Sequence, residues 1–515
     1  MPGTPHRLGP FTEGMNNEDE PETIGDNQLA DVVNFELDND GSLLSRPAYL
    51  VDVDTPVAGQ FVDAHGYYVR NDGVTFLVCT TDAKTWVYDI TAKTWLEIWA
   101  VKASGFAQYD NKIVLISELA AGGYWEAGVF TSTPTMPQGS DIVFYQERFW
   151  AFGIRGTANQ TRVWFSNVTS AGTPPTSIWD WTTASDYFEV NKGDGQWVTG
   201  LLADVNSLII FRNRSTWRLT FGGSPLLTGS LDQLNPAIGT DNKDTFVTYE
   251  SYYLTLSQGI LYQFINYQFY PLNTKRVKFQ QSTPDASLRR TTALSVLAHR
   301  AIVWYYGTTY VYSINTNTWS RWHSELHRPS LTLQIPPTSL AGDVRVGLAQ
   351  TGLTTGPKGL LRIRDEVLAG TSGEQMTCSV RTKSYSLEEA AQYKRLFYWV
   401  VEVKSSSGVE GIATPSALST EGVTCDEMDL VTCDVLDLGN ADNPLIIVPT
   451  YESDVDFPTA APVRTTVKLG QALSYLRLRF DIALECDGTS RTSQARIYSI
   501  TPYTRIRGGV AEKVS

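Results

Sequence analysis

The sequence predicts an all-β protein: a β-propeller of six or seven blades followed by a β-sandwich-like C-terminal domain. The first observation is a repeat, because the nine residues Val87–Trp95 recur as Val311–Trp319 with five identical positions. Each copy is typical of a strand, a tight polar turn and a Trp that opens the next strand. The copies are 224 residues apart, and division by five gives about 45 residues per unit, a period typical of propeller blades. We therefore predict that Trp95 and Trp319 occupy equivalent positions in blades five apart, both largely buried between adjacent sheets.

The second observation is the rhythm of short apolar segments. Between residues 55 and 325 they recur about every 8–12 residues with turn signals between them, which indicates strands of a propeller, sandwich or barrel. The range 326–373 contains several prolines and is expected to be a linker or crossover. From 374 to 515 the strands lengthen and alternate, as in Leu396–Val403, which predicts a β-sandwich-like domain with an acidic insert.

Composition is the third observation. The chain has 25 Tyr, 20 Phe and 14 Trp but only 19% charged residues, which favours sheets with aromatic side chains packed between them. Five cysteines are an odd number and argue against a disulfide scaffold. No run of 18 apolar residues is present, so no membrane span is expected. The first residues lack the apolar core of a signal peptide, so we expect assembly in a cytoplasm.

Residues 1–54 are expected to form an extended arm and a first hairpin. Pro and Gly are frequent in 1–28, so this arm is predicted to become ordered on a neighbouring chain. The Asp38–Ser42 stretch resembles the opening of a calcium loop, but Tyr49 stands where a Glu is needed, so a tight β-turn is the preferred interpretation.

Charge is distributed unevenly. Residues 1–54 contain twelve acids and two bases, and residues 405–463 contain eleven acids and no Lys or Arg, out of a net charge of −14. Exposed segments of this kind repel a nucleic-acid backbone, so binding to DNA is not expected, whereas passage of DNA is compatible with them. If the chain surrounds a DNA channel, carboxylates of these segments are expected to line part of it, the alternative being solvated outer loops.

Two groups of residues could hold a metal. His323 and His327 have the i,i+4 spacing of a zinc site on a helix, but their surroundings favour a surface loop. Asp429, Asp434 and Asp437 lie in or near an eight-residue repeat and could gather calcium, but acidic segments are usually solvated. No metal and no cofactor are therefore predicted.

No catalytic residue is predicted. The chain lacks a Gly-x-Ser-x-Gly motif, a phosphate-binding loop and a recognisable carboxylate pair. Arg212, Arg214 and Arg218 lie within one hairpin and should not converge as an anion clamp does. We therefore expect a protein that is not an enzyme.

A set of sequence segments in a fixed order spans roughly residues 11–325: Phe11–Asn16, Asp26–Glu36, Asp40–Pro47, Glu147–Gly153, Arg162–Ser166, Leu208–Leu219, and Ala237–Thr240 leading to Leu254–Ile260. In this order, the segments resemble bacteriophage tail proteins built on a propeller, namely the tail nozzle proteins of short-tailed phages and related minor tail proteins. Arg381–Lys383 and Lys394–Tyr398 are similar to a strand-rich module appended to such propellers.

The resemblance implies a structural virion protein of the tail, assembled in the bacterial host cytoplasm. It implies a homo-oligomeric ring around the DNA conduit that contacts other tail proteins, such as an adaptor, a tail fibre or the tail tip, and lets DNA pass without specific binding. Two alternatives remain open: a receptor- or glycan-binding tail-tip protein, and a glycan-degrading propeller enzyme.

Overall fold

The structure is a computed structural model. It describes residues 4–20, 23–47, 49–53, 55–57, 60, 62–167, 179, 181, 186–221, 229–272, 277–280, 292–323, 329–334, 345–349, 360–363, 376–383, 385, 394–405, 409–419, 445–447, 463–475, 477–486 and 495–506. The regular elements within these ranges are strands. None of the described segments forms a helix of the length and apolarity that crossing a membrane requires.

The strands are numbered in chain order. The first ten are β1 (Thr4–Pro5), β2 (Gly14–Met15), β3 (Gln28–Val33), β4 (Phe35–Leu37), β5 (Leu43–Ser45), β6 (Tyr49–Val53), β7 (Asp63–Val69), β8 (Thr75–Thr80), β9 (Thr85–Asp89) and β10 (Thr94–Trp99). The next ten are β11 (Gly105–Tyr109), β12 (Lys112–Ile116), β13 (Gly123–Glu126), β14 (Val129–Ser132), β15 (Asp141–Tyr145), β16 (Arg148–Phe152), β17 (Arg162–Phe165), β18 (Tyr187–Glu189), β19 (Val198–Ala203) and β20 (Ser207–Arg212). They are followed by β21 (Thr216–Phe221), β22 (Gly229–Asn235), β23 (Phe246–Tyr249), β24 (Tyr252–Ser257), β25 (Ile260–Ile265), β26 (Gln268–Pro271), β27 (Thr292–Leu297), β28 (Arg300–Tyr305), β29 (Thr308–Ser313) and β30 (Thr318–Trp322). The last ten are β31 (Pro329–Gln334), β32 (Arg345–Ala349), β33 (Leu360–Ile363), β34 (Met376–Thr382), β35 (Lys394–Ser405), β36 (Val409–Ser419), β37 (Leu445–Ile447), β38 (Val463–Tyr475), β39 (Arg477–Cys486) and β40 (Ala495–Ile506).

Seven four-stranded antiparallel units form the propeller. Blades 1 to 6 are consecutive groups of four strands, β7–β10, β11–β14, β15–β18, β19–β22, β23–β26 and β27–β30, and blade 7 consists of β31, β32, β33 and β6. The first strand of each blade is innermost, and the innermost strands of successive blades lie side by side, with β31 of blade 7 returning to β7 of blade 1. The predicted all-β propeller is confirmed, and the described strands make seven blades.

Blade 7 corrects the predicted organisation. The range 326–373, expected to be a linker or crossover, contributes β31, β32 and β33, so that expectation is wrong for its described part. The ring is closed by β6, which pairs with β33 through Leu361 and Val51. The first hairpin, β4–β5, does not close the ring. Because β6 and β33 are far apart in the sequence, no local pattern shows that they pair.

The core of the propeller lies in the seams between blades. Between blades 1 and 2, for example, Val78 and Val87 pack with Ile113 and Leu115. Aromatic rings fill the same seams, as where Trp99 of blade 1 stacks on Phe130 of blade 2 at 5.0 Å between centroids. Each blade is therefore stabilised mainly by burial against its neighbours.

The two copies of the repeated phrase occupy equivalent places in blades 1 and 6, as predicted. Trp95 pairs with Tyr88 and Trp319 pairs with Tyr312, and in both pairs the ring centroids are 5.0 Å apart. The second Trp lies four positions after Trp95 in the first copy (Trp99) and three positions after Trp319 in the second (Trp322). A bulge between Glu97 and Trp99 accommodates the extra residue.

The two Trp side chains differ in burial, so the prediction that both are buried is half wrong. Trp319 is 1% exposed, whereas Trp95 is only half-buried. In blade 1, β10 is the outer edge. In blade 6, by contrast, β30 is covered by β2 and pairs with β3 through Arg321 and Val33. The N-terminal segment therefore covers the copy in blade 6 and leaves the copy in blade 1 on an uncovered edge strand.

The C-terminal strands form two sheets that include N-terminal strands. One sheet has the order β38-β35-β40-β5-β4, with β1 on β40, and the other continues from blade 6 as β30-β3-β34-β39-β36-β37. The consecutive strands β38 and β39 do not pair with each other and belong to different sheets. The N-terminal and C-terminal parts of the chain are thus combined in the same sheets.

The predicted docking of residues 1–28 on another chain stays a prediction, but its premise, that the arm cannot be ordered by its own chain, is wrong for the described part. The described part of this arm packs on its own chain: Phe11 and Met15 are buried in a core shared with blades 5 and 6 and the C-terminal strands. Leu8 N donates a hydrogen bond to Ile500 O at 2.9 Å. Apolar residues separated by Pro and Gly were sufficient for burial because the surface that covers them comes from distant parts of the sequence.

A buried arginine connects the first hairpin to the propeller. Arg46 is 2% exposed, and its guanidinium donates to Asn34 Oδ1 at 2.8 Å, to Pro47 O at 2.8 Å and to His323 O at 2.9 Å. Asn34 Nδ2 in turn donates to Thr377 O at 2.7 Å. We call Asn34, Arg46 and His323 the arginine joint, because they link the hairpin, the end of blade 6 and β34.

Candidate functional site

A cavity of about 450 Å³ lies at the end of the propeller where the innermost strands begin. We call it the axial cavity. Its charged and polar side chains come from blades 1 to 5 and the links between them, and include Asp63, His65, Lys102, Glu118, Arg155, Asp241, Asn242, Lys243 and Asp244. Links that enter successive blades converge on the centre of the ring, so the fold brings distant residues together here.

One contact crosses the centre of the ring. Lys243, in the link before blade 5, has its Nζ 3.4 Å from Nδ1 of His65 on the innermost strand of blade 1. Blades 1 and 5 are not neighbours in a ring of seven, so the contact spans the mouth of the propeller's own channel. His65 Nε2 is held by Thr80 Oγ1 at 2.9 Å, and Lys243 Nζ also lies 3.4 Å from Asp244 Oδ1.

Asp141, which follows Ser140 of the cavity wall, packs closely on Gly105. A Cβ atom at Gly105 would lie 2.0 Å from Asp141 Oδ1, so the site requires glycine there. Burial raises the pKa of Asp141 to about 6, even though the positive charge of Lys243 acts to lower it. Asp244 adds to the increase, since two neighbouring carboxylates disfavour each other's ionisation.

Asp241 and Trp197 form another part of the wall. Asp241 Oδ1 accepts a hydrogen bond from Gln258 N at 2.9 Å, and burial raises the pKa of this carboxyl group. Trp197 has the guanidinium of Arg155 above its ring at 4.2 Å from the centroid. Thr199 and Thr240, joined by a hydrogen bond of 2.7 Å, are buried beside it.

The axial cavity can offer carboxylate acceptors and a few cationic donors to a small ligand. Within the described ranges, no group of three or more His, Cys, Asp or Glu side chains is arranged to hold a metal ion. The sequence pattern did not reveal this site, because its residues are spread from 63 to 244 and none belongs to a recognised motif. The polar run Asp241–Asp244 between two strands was the available signal.

The arginines considered from the sequence do not converge. Arg212 is buried and binds Asp194, whereas Arg218 lies over the ring of Tyr267 at 4.8 Å. Arg214 is exposed. As the sequence predicts, these three arginines of one hairpin do not converge on one anion.

Of the stretches considered as metal sites, only Asp38–Ser42 lies fully within the described residues. In Asp38–Ser42 the chain makes a tight turn, because Gly41 N donates to Asp38 O and Ser42 N donates to Asp40 Oδ1, both at 2.9 Å. Gly41 has a φ of 77°, which favours glycine. The β-turn interpretation is confirmed. His327, Asp429, Asp434 and Asp437 lie outside the described residues, so the prediction that neither of these two groups binds a metal stays a prediction.

Replacement of Asp141 by Asn should stabilise the protein at high pH. The folded-state pKa is raised from 3.8 to about 6, so ionisation costs stability as the pH rises through this window, about 3 kcal/mol in full. We expect Asp141→Asn to increase the free energy of unfolding by about 2–3 kcal/mol at pH 8 and by little near pH 4. Urea titrations of wild type and Asp141→Asn at both pH values measure the two free energies of unfolding. A difference between them that is the same at pH 4 and pH 8 would contradict the prediction.

Comparison with known proteins adds no evidence about function. No family model and no curated protein matches the chain. Among solved structures it is similar to the WD40 β-propeller domain of Doa1, with 8% identity over 62% of this chain and 96% of that one and a TM-score of 0.36. It is also similar to YCF48 from Cyanidioschyzon merolae, with 11% identity over 62% and 98% of the two chains and a TM-score of 0.37. By the arrangement of its described strands, the chain belongs to the class of β-propeller proteins.

Proposed function

We propose that this chain is a structural component of a bacteriophage tail, one subunit of a ring around the DNA conduit, acting in virion assembly and genome delivery. The observation that carries the proposal is the ordered set of phrases between residues 11 and 325 that resemble tail nozzle and minor tail proteins. Two of these phrases, Asp26–Glu36 and Asp40–Pro47, include β3, β4, β5 and the residues Asn34 and Arg46 of the arginine joint.

The way the chain is held together supports this role. Glu36 of the first hairpin binds Arg300 of blade 6 at 2.7 Å, and Asp31 of β3 binds Arg321 of β30. These ion pairs and the arginine joint connect the propeller to the sheets that hold the chain's two end regions. A subunit that transmits force during genome delivery benefits from such a connection, because its parts then move together.

The propeller's own channel is a poor candidate for the conduit. The Lys243–His65 contact crosses its mouth, so DNA would have to pass through the centre of a ring of subunits. The proposal includes this ring of identical subunits and its assembly in the bacterial host cytoplasm. It also includes contacts with an adaptor, tail fibre or tail tip. Its neighbour contacts are now expected on surfaces other than the buried arm.

The receptor- or glycan-binding alternative has less support. Among the described aromatic residues, Tyr67 and Tyr270 are the large exposed ones, at 40% and 48%, whereas most Trp side chains pack in the seams between blades. Aromatic platforms for sugars require open ring faces. The glycan-degrading alternative would require carboxylates and several arginines from separate blades placed around a substrate. The axial cavity has carboxylates from several blades, but Arg155 is the one arginine among its lining residues, and its guanidinium lies over the ring of Trp197.

Electron microscopy of phage particles labelled with an antibody raised against this chain tests the proposal. We expect the label on the tail, in a pattern with rotational symmetry about the tail axis. Antibody that has first been absorbed with the purified chain provides the control. Label on the capsid, or particles that carry no label although infected cells contain the protein, would contradict the proposal.

A further inference from the structure

The axial cavity contains more acids than bases. Four carboxylates and three Lys or Arg side chains line it, together with the imidazole of His65; they are Asp63, Glu118, Asp241 and Asp244 against Lys102, Arg155 and Lys243. The bases are already engaged: Lys102 lies 3.8 Å from Asp63, Lys243 lies 3.4 Å from Asp244, and Arg155 covers Trp197. The cavity therefore retains negative charge after its internal pairs are counted.

Asp241 and Glu118 are the two acids of the cavity without a Lys or Arg partner in the described part of the chain, and Asp241 is the more buried of the two. Its Oδ1 accepts from Gln258 N, and in the part of the chain that the structure describes no Lys or Arg pairs with it. A half-buried carboxylate is stabilised by an opposite charge, because burial removes part of its hydration. Asp141, beside the cavity wall, likewise forms no ion pair within the described ranges, although Lys243 acts on it at longer range.

Other ligand classes fit less well. A metal ion would need several converging ligands, and the described residues offer no such group. An anion would meet the excess of carboxylates. A sugar would need the open face of an aromatic ring, and the Trp197 face that could serve is covered by Arg155.

We propose that the axial cavity binds an organic cation, an ammonium or guanidinium group on an alkyl stem, with Asp241 as its principal anionic partner. The alkyl stem lies against apolar lining residues such as Val198 and Phe152, and the cationic head donates to the carboxylate of Asp241. Such a group is presented by a lysine or arginine side chain of a partner protein or by a free amine. This inference does not depend on the proposed tail function.

Calorimetric titration of the full-length chain provides the test. The probes are butylammonium and butylguanidinium, with butanol and butyrate as matched neutral and anionic controls. We expect the cations to bind with dissociation constants of about 1–10 mM, which a ligand of few atoms allows, and the controls not to bind. Asp241→Asn should weaken binding about tenfold, since a charge-assisted hydrogen bond is lost.

Asp72→Asn, in the turn between β7 and β8 at the other end of blade 1, is the matched control and should bind like wild type. Circular dichroism confirms that both variants are folded. Equal binding by wild type and Asp241→Asn, tighter binding of butyrate, or the absence of cation binding would overturn the proposal. A capped glycine-lysine-glycine peptide that binds more tightly than butylammonium identifies a partner protein as the source, and weaker binding identifies a free amine.

Discussion

Replacement of Arg46 by Ala should destabilise the folded chain by about 3–5 kcal/mol, because a buried charged network loses its central donor. Its guanidinium is the donor to Pro47 O and His323 O, and both carbonyl groups would lose that hydrogen bond. The substitution also leaves an empty space beside Trp322, whose ring lies under the guanidinium at 5.8 Å.

Urea unfolding followed by tryptophan fluorescence measures the effect. Arg70→Ala is the control, because Arg70 is a surface residue that pairs with Asp72, and its loss should leave the urea midpoint unchanged. If Arg46→Ala unfolds at the same urea concentration as Arg70→Ala, the arginine joint does not stabilise the fold as described.

Trp319→Ala should cost about 3–5 kcal/mol, the range found when a buried aromatic side chain is removed. Trp319 is 1% exposed and packs on Tyr312 and Phe279, at 5.0 and 5.4 Å between ring centroids. Trp95→Ala is the matched variant, since it removes the same side chain from the equivalent position of blade 1. It should cost clearly less, because Trp95 is half-buried on an edge strand.

The difference between the two variants is the informative quantity. It reports mainly what the N-terminal segment contributes by covering β30, since both copies have the same Tyr partner and share five of nine residues. Thermal unfolding of the two variants in parallel provides it. Equal losses would mean that the covering segment adds nothing at Trp319.

The local part of the fold was predictable. The strand, turn and Trp of the repeated phrase lie where the pattern put them, because hairpin signals depend only on neighbouring residues. The spacing of 224 residues placed the copies five blades apart, as blades 1 and 6 are. The bulge at Glu97 could not be predicted from the pattern, because one inserted residue changes the strand pairing without changing the composition.

The non-local part was not predictable from the pattern. The pairing of β6 with β33 and the burial of Phe11 in the core both depend on residues hundreds of positions away. The axial cavity has the same origin: Asp241 and His65 carry no motif, and only the ring geometry brings their segments together. The local pattern of a single sequence contains no signal for such contacts.

Closure of the ring by β6 has a consequence for synthesis on the ribosome. Residues 49–53 are made early, but their partner β33 begins at residue 360. At about 5–20 residues per second, β6 waits roughly 15–60 s for that strand. During this interval the nascent chain has an open edge that invites mispairing. A product truncated before residue 360 keeps that edge open permanently, so translation must reach the last third of the chain before the ring can close.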